Sequence, residues 1–95
     1  MRTYEAMFIL KPSLEEEAIK ANLEKFKGII EKNGGEVVEV DEWGKRRLAY
    51  PIAKLNEGIY TLFTFKADTE LPKELDRNFR ISDDVIRSMI TKIEE

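Results

Sequence analysis

The groups this sequence offers for chemistry are cations and carboxylates, because its 95 residues include no Cys and no His. That excludes thiolate nucleophiles, thiolate zinc sites, disulfide scaffolds and every imidazole-based acid–base mechanism. The carboxylates come in groups: Glu15 to Glu17, Glu39 with Asp41 and Glu42, Asp83 with Asp84, and Glu94 with Glu95. Each group has a plain reading as a helix start, a solvent-facing strand phase, a turn after a helix or a chain end. No calcium loop, P-loop or dinucleotide fingerprint occurs, and Gly34-Gly35 reads as a helix stop. No metal, cofactor or small-molecule substrate is expected, and no nucleophile–base pair remains to make an enzyme.

The cations say more. Net charge is only −3, which by itself argues against a nucleic-acid binder. Its distribution is uneven. Residues 43–67 carry Lys45, Arg46, Arg47, Lys54 and Lys66 against Glu57 alone, a local balance of +4, which leaves −7 on the rest. Arg and Lys in such a cluster can displace counterions from phosphates, and Arg makes forked contacts with them. The same cluster also suits a solvated sheet edge guarded against aggregation. In an extended segment Lys45 and Arg47 point one way and Arg46 the other, and Pro51 favours an edge strand.

The elements that must position these groups follow from periodicity. Residues 3–10 alternate, with Tyr4, Ala6, Phe8 and Leu10 on one face and Glu5, Met7 and Ile9 on the other, which predicts a strand ended by Lys11-Pro12. Residues 13–33 predict a helix. Ser13 and Glu16 are spaced as a capping box, and Ile19, Leu23, Phe26 and Ile30 form one apolar stripe. Residues 36–52 predict a long extended segment in which Val38 and Val40 share a phase, as do Leu48, Tyr50 and Ile52, with a bulge or bend at Gly44. Leu55-Asn56-Glu57-Gly58 reads as the turn into a strand over residues 59–67. Asp68 or Thr69 is placed to cap a second helix carrying Pro72, with Leu71, Leu75 and Phe79 as its stripe. Residues 85–93 predict a last strand, with Ile86, Ser88 and Ile90 on one face.

The order β-α-β-β-α-β is that of an α+β, ferredoxin-like fold. It implies one domain over residues 1–95, with a four-stranded antiparallel sheet and two helices on one face. The helix-free face then presents Met7, Ile9, Tyr60, Leu62 and Met89, with Arg87, Lys66 and Glu5 among or beside them. Scattered surface hydrophobes would look the same. A partner-binding surface is the sharper reading. The aromatic run of an RNA-recognition motif is missing from the third strand, which argues against base stacking there. No segment approaches the ~20 apolar residues of a membrane span, so no membrane partner is expected.

The stretch Arg46-Arg47-Leu48-Ala49-Tyr50-Pro51-Ile52-Ala53-Lys54 closely resembles the signature segment of the bacterial small-subunit ribosomal protein S-six family. Other pieces are similar too: Arg2-Thr3-Tyr4-Glu5 with Ile9-Leu10-Lys11-Pro12, Gly44, Gly58, and residues 80–87. The resemblance implies a ferredoxin-like fold without catalytic activity, working in the cytoplasmic ribosome. It implies binding to the central region of small-subunit ribosomal RNA together with ribosomal protein S-eighteen, as a heterodimer. A partner that brings positive charge would explain an acidic RNA binder. By the same resemblance Arg2, Arg46, Arg47, Tyr50, Lys54 and Arg87 are the expected RNA or partner contacts. Arg2 and Arg87 are expected to meet across the first and last strands, and packing suits Tyr50 as well as stacking does. Two other classes stay open on the residues alone. One is a protein-only adaptor using the free sheet face or an edge strand. The other is a small enzyme acting on acyl phosphates, for which Lys11-Pro12-Ser13 offers only Lys11 and a helix N-terminus.

Overall fold

Strand β1 (Arg2–Leu10) forms the centre of the molecule because its even positions from Tyr4 onward are apolar, and Tyr4, Ala6, Phe8 and Leu10 are buried. The computed structural model describes residues 1–52 and 54–94. Helix α1 (Glu16–Lys32) follows, then strands β2 (Glu36–Ile52) and β3 (Leu55–Ala67), helix α2 (Leu71–Ile81) and strand β4 (Val85–Glu94). The strands make one antiparallel sheet in the order β2-β3-β1-β4, so β2 and β4 are its edges. The β-α-β-β-α-β order and antiparallel sheet are those the periodicity predicts. Ala53 and Glu95 lie outside the described residues. Among the described residues no helix is long and apolar enough to cross a membrane.

One core joins both helices to one sheet face. Leu23, Phe26 and Ile30 of α1 and Leu71, Leu75 and Phe79 of α2 pack on Phe8, Ile59, Phe63 and Phe65. Phe8 is its hub: its ring lies 4.9 Å from Phe79 in a stacked pair and 5.2 Å from both Phe26 and Phe63 in edge-on pairs. Such aromatic geometry adds to the burial of the rings themselves.

Several local expectations are corrected. Helix α1 begins at Glu16 with Glu15 as N-cap, and the Ser13–Glu16 capping box does not form. Lys11 to Leu14 instead close a turn through the Leu14 amide and the Lys11 carbonyl, 3.4 Å apart, which keeps Ser13 out of the helix. Helix α2 is likewise capped at Glu70, because Asp68 accepts a backbone bond from Leu71 in the turn before it. In β2 a register shift between Val37 and Glu39 sends Val38 to solvent, 52 % exposed, while Val37 and Val40 pack against the core. A second shift lies between Glu42 and Gly44, where Gly44 takes φ +80° as its place at a bulge requires.

The hairpin turn is not at residues 55–58. Ile52 pairs with Leu55, so the chain reverses between them, with Lys54 at φ +68°. Gly58 serves a different need: a Cβ there would collide with Ile9 Cγ2. In β4 a shift between the partners of Ile9 and Leu10 takes Ile86 out of phase with Ser88 and Ile90, and its Cδ1 lies 3.5 Å from that same Gly58 position.

Lys11, Asn22 and Asp84 fasten the start of β4 to the rest. The Asn22 amide donates to Asp84 Oδ2 at 3.0 Å, Lys11 Nζ is 3.3 Å from Asp84 Oδ1, and the Lys11 amide donates to the Asp84 carbonyl at 2.9 Å. These hold the Asp84 carboxyl below its ordinary value of 3.8: the Asn22 bond is the largest cause, burial opposes it, and Lys11 adds to it. A carboxyl depressed on folding stabilises the fold above its unfolded pKa, and that contribution disappears as pH falls through the folded value. Asp84→Asn should therefore be less stable than the parent at about pH 7, with the difference shrinking as pH falls below the ordinary carboxyl value of 3.8. Urea melts across that range check it.

Candidate functional site

The outer part of the β2–β3 hairpin builds the site by bending over the helix-free face. Between Arg47, opposite Glu57, and Ile52, opposite Leu55, β2 carries extra residues that bulge out of the ladder. Pro51 sits in that bulge, on an edge strand, where its missing N–H costs no ladder bond. Leu48 is buried there at 7 % exposure. The bend leaves a cleft of about 270 Å³ whose walls are Met7, Ile9, Tyr60, Arg87 and Met89 from the sheet and residues 48–50 and 52 from the hairpin.

Tyr50 and Arg87 tie the arm to the sheet. Arg87 Nη1 donates to the Tyr50 hydroxyl at 2.6 Å, and its guanidinium carbon lies 5.8 Å from the Tyr50 ring centre. Accepting this bond, the Tyr50 hydroxyl raises the Arg87 pKa above its ordinary value, so the guanidinium stays charged. Both side chains remain exposed. Tyr50 therefore neither packs in the core nor stands alone: it is half of a cationic–aromatic pair at the mouth of the cleft.

The registers place the other expected residues. Arg46 lies opposite Gly58, on the helix-free side, while Lys45 and Arg47 lie opposite Ile59 and Glu57, on the helix side. The alternation expected of this run is present. Lys54 stands at the tip of the hairpin. Met7 pairs with Leu62 on one side and Met89 on the other, and Ile9 pairs with Tyr60 and Arg87, so the expected apolar residues share two adjacent rows. Met89 is 55 % exposed, whereas Ile9 is 4 % exposed. Ile9 is thus covered in the single chain, and the helix-free face is more closed than the pattern of one strand suggests, because the arm folds onto it.

Arg2 and Arg87 do not meet. Their strands are neighbours, but Arg87 pairs with Ile9, and Arg2 pairs with Ala67 at the other end of β1. At ~3.4 Å per residue the two are roughly 24 Å apart along the strand. Antiparallel pairing, which sequence adjacency of the strands does not register, separates them.

Trp43 belongs to this face and was not singled out by the periodicity. It occupies the bulge before Gly44, and its ring stacks on Tyr60, with centroids 6.2 Å apart and planes 12° apart. Its Nε1–H donates to Asp41 Oδ2 at 2.9 Å. The available signal was a large aromatic directly before a glycine in a strand, since a bulge there re-aims the side chain. Among the described residues no group of three or more acidic side chains could hold a metal ion. Lys11, the one cation near the acyl-phosphate position, is taken up by Asp84.

Comparisons with known proteins agree on one family. The family model for ribosomal protein S6 matches residues 3–92. The small ribosomal subunit protein bS6 of Clostridium novyi (strain NT) is 64 % identical over 95 residues, covering 100 % of both chains. Its counterpart in Clostridium botulinum (strain Loch Maree / Type A3) is 67 % identical over 90 residues, covering 95 % of this chain and 96 % of that one. Among solved structures, the 30S ribosomal protein S6 of Thermotoga maritima superposes with a TM-score of 0.92 at 36 % identity, over 97 % of this chain and 87 % of that chain.

Proposed function

This chain belongs to the ribosomal protein S6 family, and from that premise we propose that it binds the central region of small-subunit ribosomal RNA jointly with ribosomal protein S-eighteen. It is a structural protein of the small ribosomal subunit, not an enzyme, and its place is the bacterial cytoplasmic ribosome. The observation that carries the joint-binding reading is the juxtaposition at one end of the sheet. A cationic arm with Arg46, Arg47 and Lys54 adjoins a cleft rimmed by exposed Met89 and Tyr50.

Each half suits a different partner. The arm's cations project beyond the acidic body, where they can meet phosphates. Met89, Tyr50 and half-buried Met7, Tyr60 and Leu62 form an apolar and aromatic patch with Arg87 beside it, the composition of a protein interface. The division of labour follows: Arg46, Arg47 and Lys54 contact RNA, and the cleft rim with Arg87 contacts the partner protein. Arg2, at the far end of β1, makes a separate contact with either.

Crosslinking on purified small subunits tests the division. Photoreactive groups at Arg47 or Lys54 should label ribosomal RNA, and one at Met89 should label the partner protein. Recovery of the chain only in the ribosome-free fraction, or RNA labelling from Met89 and none from the arm, would overturn it.

A further inference from the structure

Trp43 lies where the cationic arm meets the sheet, and neither the apolar core nor the cleft uses it. It is 40 % exposed. One face of its indole rests on Tyr60, and its N–H is satisfied by Asp41, so the group has no polar requirement left to meet. Three residues along the same strand and, because the bulge at Gly44 intervenes, on the same side of the sheet, Arg46 lies opposite Gly58. An open aromatic surface backed by a second ring, with an arginine further along the same face of the strand, can hold an unpaired base: the ring stacks and the cation reaches the adjoining phosphate.

We infer that Trp43 is a stacking platform for one unpaired nucleobase of the RNA, with Tyr60 behind it and Arg46 on the neighbouring phosphate. This deepens the RNA-binding reading and rests on it. The absence of an aromatic run in β3 does not oppose it, because the missing aromatic comes from β2. The Gly44 bulge turns Trp43 onto the face that Tyr60 occupies. The indole also has the geometric freedom to accept a base of any identity, since every base has a π-face. The base is therefore selected by its being unpaired and not by hydrogen bonds from Trp43.

Trp43 is the only tryptophan of the chain, so its fluorescence reports the contact directly. The chain would be titrated with the partner protein and then with a fragment of the central region of small-subunit ribosomal RNA. The Trp43 signal is taken as the difference from Trp43→Phe. Quenching on RNA addition is expected. Trp43→Leu, which keeps an apolar side chain without a ring, should bind this RNA about tenfold or more weakly, and Trp43→Phe less weakly than that. Because stacking displaces no counterions, Trp43→Leu should leave the dependence of log affinity on log salt unchanged, whereas Arg46→Ala should flatten it. Two results would overturn the inference while leaving RNA binding in place. One is RNA binding with neither quenching nor a Trp43→Leu defect. The other is quenching complete on adding the partner protein alone. Failure of the parent chain to bind the RNA with its partner would remove both readings together.

Discussion

Replacing Arg46, Arg47 and Lys54 together by Ala is expected to lower RNA affinity, measured with the partner protein present, by roughly two to three orders of magnitude near ~0.1 M salt. Each cation lost from a phosphate removes about 0.7–0.9 units of log–log salt slope, so the triple variant should lose about two to three units. The fold should tolerate the change. Arg46 and Arg47 are exposed, and the Arg46 guanidinium donates to the carbonyl of its neighbour Lys45 at 3.3 Å. Lys54 sits at a turn with φ +68°, where Ala is no better suited than Lys, and a Gly there would keep the backbone while removing the charge. A Lys54→Gly version of the triple variant therefore separates lost charge from a disturbed turn: both versions should show the same loss of slope. A slope unchanged in either would mean that the arm meets no phosphates.

Phe8→Ala is expected to have the largest effect on stability, about 3–5 kcal/mol. Phe8 is fully buried and touches the rings of Phe26, Phe63 and Phe79, so its loss leaves a cavity bordered by both helices and the sheet. Small domains are stable by about 5–15 kcal/mol in all, so this variant stands near the limit of folding. Phe8→Leu keeps most of the volume and should cost markedly less. Denaturant midpoints of the two, read with the parent, check the order. A loss under about 1 kcal/mol for Phe8→Ala would contradict the placement of Phe8 at the centre of the core.

How much of this was legible in the sequence depends on the range of the interaction. The inward faces of β1 and β3 follow from alternation, and the stripes of α1 and α2 from helical spacing, because burial of a whole face sets the period. Ser13 and Asp68 are good caps in isolation, yet both lie in turns that precede the helices, which start a few residues later. The hairpin differs for a similar reason: Asn56-Glu57-Gly58 has turn composition, but Gly58 is needed for the close approach of Ile9. Bulges at Val38, Trp43 and residues 48–51 break the period of two, so β2 was readable as a strand but not as two faces.

The site divides in the same way. The cationic arm is contiguous in sequence and was visible as a local charge excess. The Tyr50–Arg87 pair joins residues far apart in the chain, and no spacing rule brings them together. The covering of Ile9, the separation of Arg2 from Arg87 and the Trp43–Tyr60 stack all depend on strand register. Register is set by bulges and by the bend of the hairpin, which one sequence does not display.

Joint recognition is the central claim, and a salt series of RNA titrations with and without the partner protein tests it most directly. The chain alone, at net charge −3, should bind the central-region RNA weakly. With ribosomal protein S-eighteen, binding should become much tighter and steeply salt-dependent. An affinity for that RNA that is the same with and without the partner would contradict the account.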